Sequence, residues 1–483
     1  MQWSRGDVDA AFAAARAANK PVLLYWGAEW CPYCADLEAH VFSREDVRQK
    51  LALFVPVYLD GDDPGAQRWG DIFEVAGYPT VLALAPDRAE LARIAGGMDL
   101  TRYAEMLDLA LADVRPIDDI LASARRAAGL PAEDCRRLAY NGWPLDDAAA
   151  QQAGRLAAAL AAAAEQCADA AVERARLITL ATSFAVTADT DDEIAALTPR
   201  LLTSTRAILT ESSLAVAIAD VLIGLGDAYF AAAAASNPQG ADSLLRDWIA
   251  VMDAASTDAR YGHGAQLAAV RSKLDAIAAL DPHGISRAVA EAARQRIDDA
   301  FDQVGRSAAR AGTANAAINL LVTLGDLNRA REIAEQELEV SATPYYHMAD
   351  LAWIDEMLGR HDEALAWLEQ AYRASTGPAT RFQWGTNYVR GLIRMTPDDE
   401  ASIRKALLAV LGELEGAERI YRRSRGRLEI LDAALRDWSA NGGHTETIAA
   451  ARARMVPICA AIPADEADAR AACNAFLSDS SRG

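Results

Sequence analysis

The stretch that most limits what this chain can fold into is Trp26 to Cys34, WGAEWCPYC, which lies directly between a run that reads as a buried strand and one that reads as a helix. Pro21 to Trp26 (PVLLYW) is aliphatic and aromatic throughout, a composition suited to a strand covered on both faces. Cys31 then falls at an N-cap position and Pro32 at the first helical position, where its missing N–H costs nothing and its fixed φ is already helical. The spacing predicts a helix that begins at the first cysteine. Its unpaired N–H groups and the positive end of its dipole favour a thiolate on Cys31, the expected nucleophile. Cys34, one turn on and on the same face, is within reach of a disulfide with it. Such a pair cycles between dithiol and disulfide without a cofactor.

A CxxC pair also reads as half a zinc site or as an inert pair. Zinc wants a second pair or histidines at motif spacing. The next cysteine, Cys135, stands alone far downstream, and the six histidines form no HxxH or HExxH spacing. No metal site is expected.

Around the motif, Asp7 is placed to cap a helix running to about Asn19. The strand Pro21 to Trp26 and a helix from Pro32 to about His40 follow. Ser43, with Asp46 three residues on, is expected to begin another helix ending near Leu51. Leu53 to Asp60 (LFVPVYLD) reads as a second buried strand, Pro64 to Val75 as helix, Thr80 to Ala85 and Glu90 to Ala95 as strands, and Leu100 to Val114 as a closing helix. The order is β-α-β followed by β-β-α behind an extra helix. Pro79, just before the third strand, belongs at a strand start or edge and is a candidate for a cis bond.

Trp26 to Cys34 together with Tyr78-Pro79-Thr80 resembles the thioredoxin superfamily over about residues 1 to 114. Leu37-Glu38, Val41-Phe42-Ser43, Val47, Leu51 and Phe54-Val55-Pro56-Val57 leading to Asp60 are most similar to one branch of it. That branch holds the C-terminal domain of transmembrane thiol:disulfide interchange proteins and related bacterial thioredoxin-like proteins. The resemblance implies that Cys31 is the attacking thiol, Cys34 the resolving thiol and Pro79 a cis-proline packed near the sulfurs. It also implies that Trp30, Tyr33, Tyr78 and Gly97 border a substrate groove. Two positions depart from the family: Tyr25 stands where thioredoxin has a buried Asp, and Pro56 where it has a Lys. Proton-transfer help at the resolving cysteine is then absent or comes from another group, such as Glu29 or a water. The Pro-Tyr dipeptide is the one glutaredoxins use, so glutathione chemistry is a rival reading. The WxxxWC lead-in and Gly96-Gly97 before the last helix match the thioredoxin side.

After Arg115-Pro116 no strand pattern continues. Helical segments are punctuated by short breakers: Gly142-Trp143-Pro144, Thr198-Pro199, Asn237-Pro238-Gln239-Gly240, Tyr261-Gly262-His263-Gly264, Asp281-Pro282-His283-Gly284, Thr376-Gly377-Pro378, Thr396-Pro397 and Asn441-Gly442-Gly443. Loops this short join antiparallel neighbours. Two domains are expected, residues 1–115 and 116–483: an α/β thioredoxin fold followed by a large all-α, helical-repeat domain. Leu324-Gly325-Asp326 and Leu358-Gly359-Arg360 stand 34 residues apart (325 to 359), as do Ala330 and Ala364. That is the tetratricopeptide period, and Met348 to Ala374 looks like a copy of that repeat, with Gly359 at the turn, Ala364 and Ala371 small and Leu368 large. Such an array commonly holds a peptide or another protein; its plainer use is to shield or position the first domain. The aromatics Tyr345, Tyr346, Trp353, Trp367, Tyr372, Phe382 and Trp384 read as core before they read as a groove.

Charge narrows the partners. With 48 Lys and Arg against 69 Asp and Glu, the net charge is -21. No basic stripe interrupts it, so nucleic acid is not an expected partner. The longest apolar stretch, Ser212 to Ala235, carries Asp220 and Asp227 and reads as buried helix, not as a membrane span. The acidic run Asp189 to Glu193 suits a solvated loop leading into a helix N-terminus. Cys135, Cys167, Cys459 and Cys473 allow three pairings that sequence does not rank, or four buried thiols. Met1 to Asp7 has no signal-peptide character, so the chain is cytosolic or a mature form. The extra cysteines and the resemblance favour the periplasm, with the cytoplasm as alternative.

The expected activity is thiol:disulfide oxidoreduction on protein disulfides or thiols, with an upstream redox partner and no cofactor. The alternative is a repeat-type binding or adaptor protein whose first domain is a docking module or redox sensor.

Overall fold

The computed structural model describes residues 3–478 apart from 76, 96–101, 113–114, 127–128, 144–149, 189–190, 282, 308, 342, 417–418 and 465. Five strands form one sheet in the order β1-β3-β2-β4-β5: β1 Ser4–Arg5, β2 Val22–Gly27, β3 Val55–Asp60, β4 Thr80–Leu84 and β5 Glu90–Ala95. Every residue of the central β2 is buried, as its unbroken apolar run requires. The two-residue β1 pairs parallel with β3, Ser4 opposite Val57. It went unseen in the sequence because two residues carry no alternation to read. β2 and β5 both run antiparallel to β4.

Along the same stretch of sequence run the helices α1 Val8–Ala18, α2 Pro32–Leu37, α3 Glu45–Leu51, α4 Pro64–Ile72 and α5 Arg102–Ala112. Asp7 caps α1, its carboxylate accepting from Ala10 N at 2.9 Å. The helix expected to run to His40 changes at Leu37 into a π-helical turn, Glu38–Phe42. The wider turn re-phases the helix so that the adjacent Val41 and Phe42 are both buried. Ser43 does not begin α3; its hydroxyl donates back to Ala39 O, and Arg44 occupies the N-cap without a side-chain bond.

By internal packing the chain forms two compact units. The first comprises Met1–Gly27, Cys31–Leu59 and Gly77–Asp326; the second comprises Ala28–Trp30, Asp60–Ala76 and Leu327–Gly483. In the first unit one hydrophobic core extends from the sheet (Leu23, Val81, Ile94) through α5 (Leu107) to the helices Ile117–Arg125, Ala132–Tyr140, Ala150–Gln166 and Ala171–Thr187. The same helices finish the edge of β5. Arg93 N donates to Asn141 Oδ1 at 2.8 Å, Gly142 N to Arg93 O at 2.7 Å, and the buried Arg137 to Leu91 O at 2.8 Å. An edge strand that would otherwise offer bare backbone to another chain is thereby satisfied within its own.

After Ala95 every described regular element is helical. Ser212 to Ala235 is not one helix but three, Ser212–Ala217, Ala219–Ile223 and Gly226–Ser236, separated near Ile218 and at Gly224-Leu225. Among the described residues no helix is long and apolar enough to cross a membrane. Thr198-Pro199 is not a break either, since Pro199 lies inside Asp192–Leu209, whose N-terminus Asp191 caps through Ile194 N. The turns at Gly325 and Gly359 share one geometry. Both glycines are left-handed (φ 75 and 73), and each is followed by an N–H that reaches back five residues, Asp326 to Leu321 and Arg360 to Asp355. Only glycine adopts that φ without strain. Ala330, Ala364 and Ala371 are fully buried, the small positions that let helices approach. Tyr345, Phe382 and Trp384 are core, whereas Trp353 is exposed.

The four further cysteines form two disulfides, Cys135–Cys167 in the first unit and Cys459–Cys473 in the second, with Cα separations of 5.8 and 5.6 Å. The Cys135–Cys167 bond joins residues 32 apart. Opening it by the double change Cys135→Ser and Cys167→Ser is expected to lower unfolding free energy by about 3–4 kcal/mol through the unfolded chain's entropy. Denaturant unfolding of the two forms checks this; equal midpoints would show that the cross-link constrains nothing.

Candidate active site

Cys31 and Cys34 are joined by a disulfide, Cα to Cα 5.2 Å, at the start of α2. Cys31 is the N-cap, in extended conformation, and its Sγ accepts from Cys34 N at 3.1 Å. Pro32 is the first helical residue. The arrangement follows from the local sequence: the apolar β2 ends at Gly27, Pro32 starts a helix and cannot continue a strand, and the first cysteine is left facing the free N–H groups. Both cysteines are buried, 3% and 2% exposed. The Tyr78–Pro79 peptide is cis. Thr80, the next residue, pairs with Trp26 in the sheet, so Pro79 stands at the end of β4 beside the point where the chain leaves β2 for the motif.

Tyr25, behind the motif on β2, is buried and donates from its hydroxyl to Glu38 Oε1 at 2.9 Å. Burial first, and then the Glu38 carboxylate, push its ionisation far above the ordinary tyrosine value, so it remains a donor. Glu38 is one helical turn beyond Cys34 and opens the π-helical turn. Tyr25 alone stands at the position where the thioredoxins it resembles have an Asp; Glu38 is exposed, as is Glu29, the group that the sequence suggests for proton transfer. The flank of α2 packs on the helix Arg310–Thr323. Tyr33 donates to Asn315 Oδ1 at 2.9 Å, and a Cβ at Gly312 would stand 3.7 Å from both Pro32 O and Asp36 Cβ. Asp36 pairs with His40 at 2.9 Å; burial raises its carboxyl's ionisation, and His40 and then His263 oppose the rise.

The remaining expected site residues fall in three places. Tyr78 is half-buried beside the cis bond. Trp30 belongs to the second unit, where its indole N–H donates to Asp62 Oδ2 at 3.3 Å and the Arg423 guanidinium lies 4.9 Å from the ring centroid. Gly97 lies outside the described residues. Sequence reading missed Glu38 as the partner of Tyr25, and Asn315, Asp62 and Arg423 altogether. Nothing local marks Asn315 or Arg423, which meet the motif region only through folding. Among the described residues no group of three or more His, Cys, Asp or Glu is placed to hold a metal ion.

Four of the five strands, β2 to β5, the disulfide opening α2 and the cis Tyr78–Pro79 bond all fall in a segment, residues 8–111, that matches the family model of thioredoxin-like domains. This segment is a thioredoxin-like domain. Its relatives include thiol:disulfide interchange protein DsbD 1 of Pseudomonas aeruginosa, 35% identical over 104 residues, which is 21% of this chain and 18% of that protein. The DsbD proteins of Yersinia enterocolitica (33% over 99 residues, 20% and 17%) and Yersinia pestis (32% over 97 residues, 19% and 16%) match similarly. The chain thus spans less than a fifth of the length of these relatives. Among solved structures a circular tandem repeat protein aligns over 78% of this chain and 90% of its own, at 14% identity and a TM-score of 0.21, a likeness that carries no argument.

Proposed function

We propose that the chain is a thiol:disulfide oxidoreductase acting on protein disulfides through Cys31 and Cys34. The observation that carries the reading is the Cys31–Cys34 disulfide at a helix N-terminus, with Cys31 Sγ already accepting an N–H. Starting from the dithiol, the Cys31 thiolate attacks one sulfur of a substrate disulfide. A mixed disulfide forms and the other substrate sulfur leaves as a thiolate that takes up a proton. Cys34, deprotonated, then attacks Cys31 Sγ and releases the second substrate thiol. Two electrons pass to the substrate, and the protein is left with the Cys31–Cys34 bond. An upstream dithiol donor returns the pair to its reduced form; run in reverse, the same steps donate a disulfide.

Pro79 joins Cys31 and Cys34 in the catalytic set, and Trp30, Tyr33, Tyr78 and Gly97 are the residues we assign to substrate binding. Residues 1–115 are the redox domain in this reading. The helices of 116–483 act as a tetratricopeptide-like scaffold that positions partners, a view supported by the matched turns at Gly325 and Gly359. The periplasm is the proposed location. It is supported by the two further disulfides, which persist in oxidising compartments, and by the interchange-protein relatives.

Insulin reduction by dithiothreitol tests the activity. Wild-type protein at micromolar concentration is expected to accelerate precipitation well above dithiothreitol alone, and equilibration with glutathione to give the direction of transfer. No acceleration there, and none in refolding of a scrambled disulfide protein, would remove the enzymatic reading and leave the adaptor one.

A further inference from the structure

In the second unit, Trp30 is gripped on two sides. Its N–H donates to Asp62 Oδ2 at 3.3 Å, and the Arg423 guanidinium lies over its ring, 4.9 Å from the centroid. Arg423 is held in turn: Nη1 donates to Asp62 Oδ1 at 3.1 Å, Nη2 to Thr380 Oγ1 at 3.0 Å and to Gln383 Oε1 at 2.9 Å. Asp62 also takes the Thr380 N–H at 3.1 Å, which makes it the capping carboxylate of the helix Pro378–Met395. Both side chains are largely buried, Arg423 11% and Asp62 18% exposed. Space is tight as well: a Cβ at Gly377 would fall 2.7 Å from Asp62 Cβ. Tyr345, Ala371 and Trp384 pack near the same indole.

Burying an ion pair of this kind adds little stability over apolar packing, because desolvation of the charges offsets their attraction. What it does supply is direction. A planar fork fixed at Asp62, Thr380 and Gln383 presents its face to the ring, and an indole held at both N–H and face keeps one rotamer. Trp30 is bonded to Cys31, and in the reading proposed above, on which this inference rests, it borders the substrate groove.

We propose that Arg423 and Asp62 are positioning residues for the dithiol reaction, holding the indole of Trp30, the residue that precedes Cys31 in the chain, in one rotamer. Neither touches the reacting sulfurs. Their effect falls on substrate binding, because a peptide that meets a mobile indole must immobilise it on binding.

The full chain and its Arg423→Ala and Asp62→Asn variants are compared on a synthetic peptide closed by one disulfide. KM is expected to rise about tenfold, equivalent to about 1.4 kcal/mol, with kcat within about twofold. Arg423→Lys keeps the charge but not the fork, and is expected to retain most of the defect. In parallel, 5-fluorotryptophan NMR follows the Trp30 resonance, assigned by its loss in Trp30→Phe. It is expected to be single and sharp in the wild type and shifted or broadened in both variants. Variants that fold and leave either KM or the resonance unchanged overturn the proposal, as does full rescue by lysine. A wild type inactive on every disulfide would instead sink the oxidoreductase reading, while the NMR comparison would still report on the clamp.

Discussion

Cys31→Ser is expected to lower insulin reduction at least about a thousandfold, to the dithiothreitol background, which is a barrier increase of about 4 kcal/mol or more. A serine hydroxyl stays protonated at neutral pH, so the N–H groups that would steady a Cys31 thiolate find no anion to act on. Cys34→Ser is expected to behave differently. Attack by Cys31 still occurs, but the intermediate has no internal thiol to resolve it, and mixed disulfides with substrates accumulate. Non-reducing gels of lysate treated with each variant separate the two cases. The assignment of attacker and resolver fails if Cys31→Ser traps partners and Cys34→Ser does not. The assignment follows from position, since Cys31 is the N-cap and Cys34 is one turn inside the helix.

Asp220→Ala is expected to cost about 3–5 kcal/mol of stability, the typical penalty for leaving a buried charge without its partner. Asp220 Oδ1 accepts from Arg176 Nη1 at 2.6 Å, with the two side chains 8% and 6% exposed. Arg176 also donates from Nε to Ala139 O at 3.1 Å and lies 4.2 Å from the Tyr140 ring centroid, so it cannot swing out to water without abandoning both. Replacing both charges, as Arg176→Met with Asp220→Leu, is expected to cost much less, because no charge is then stranded. Urea unfolding of the single and double variants measures the difference. A single-variant loss below about 1 kcal/mol would mean that solvent reaches Arg176 despite its burial.

Asp220 also illustrates how far the sequence can be read. Its presence in an apolar stretch argues against a membrane span, and that argument needs only hydropathy. That it pairs with Arg176, on another helix 44 residues earlier, depends on packing that no local pattern records. The same division runs through the candidate site. The strand, the capping cysteine and the first-turn proline are local, so the chemistry of Cys31 and Cys34 is legible in nine consecutive residues. Tyr33 meeting Asn315, 282 positions away, is not. Neither is the Tyr25–Glu38 pair: its two residues are close in sequence, but a π-helical turn, where a regular helix was expected, begins at Glu38.

By itself the sequence determined an α/β segment with a redox-type motif, the position of Pro79, and an all-helical remainder with a repeat spacing around Gly325 and Gly359. Periodicity, helix capping and left-handed glycine are short-range effects, and each is written within a few residues. Only the tertiary structure decided which cysteines pair among Cys135, Cys167, Cys459 and Cys473. It alone let the helices after residue 116 share the core of the sheet and finish the edge of β5, and gave Trp30 its grip from Asp62 and Arg423. These are choices among many long-range pairings of similar local cost, and burial, hydrogen-bond satisfaction and shape select among them only once the whole chain has packed.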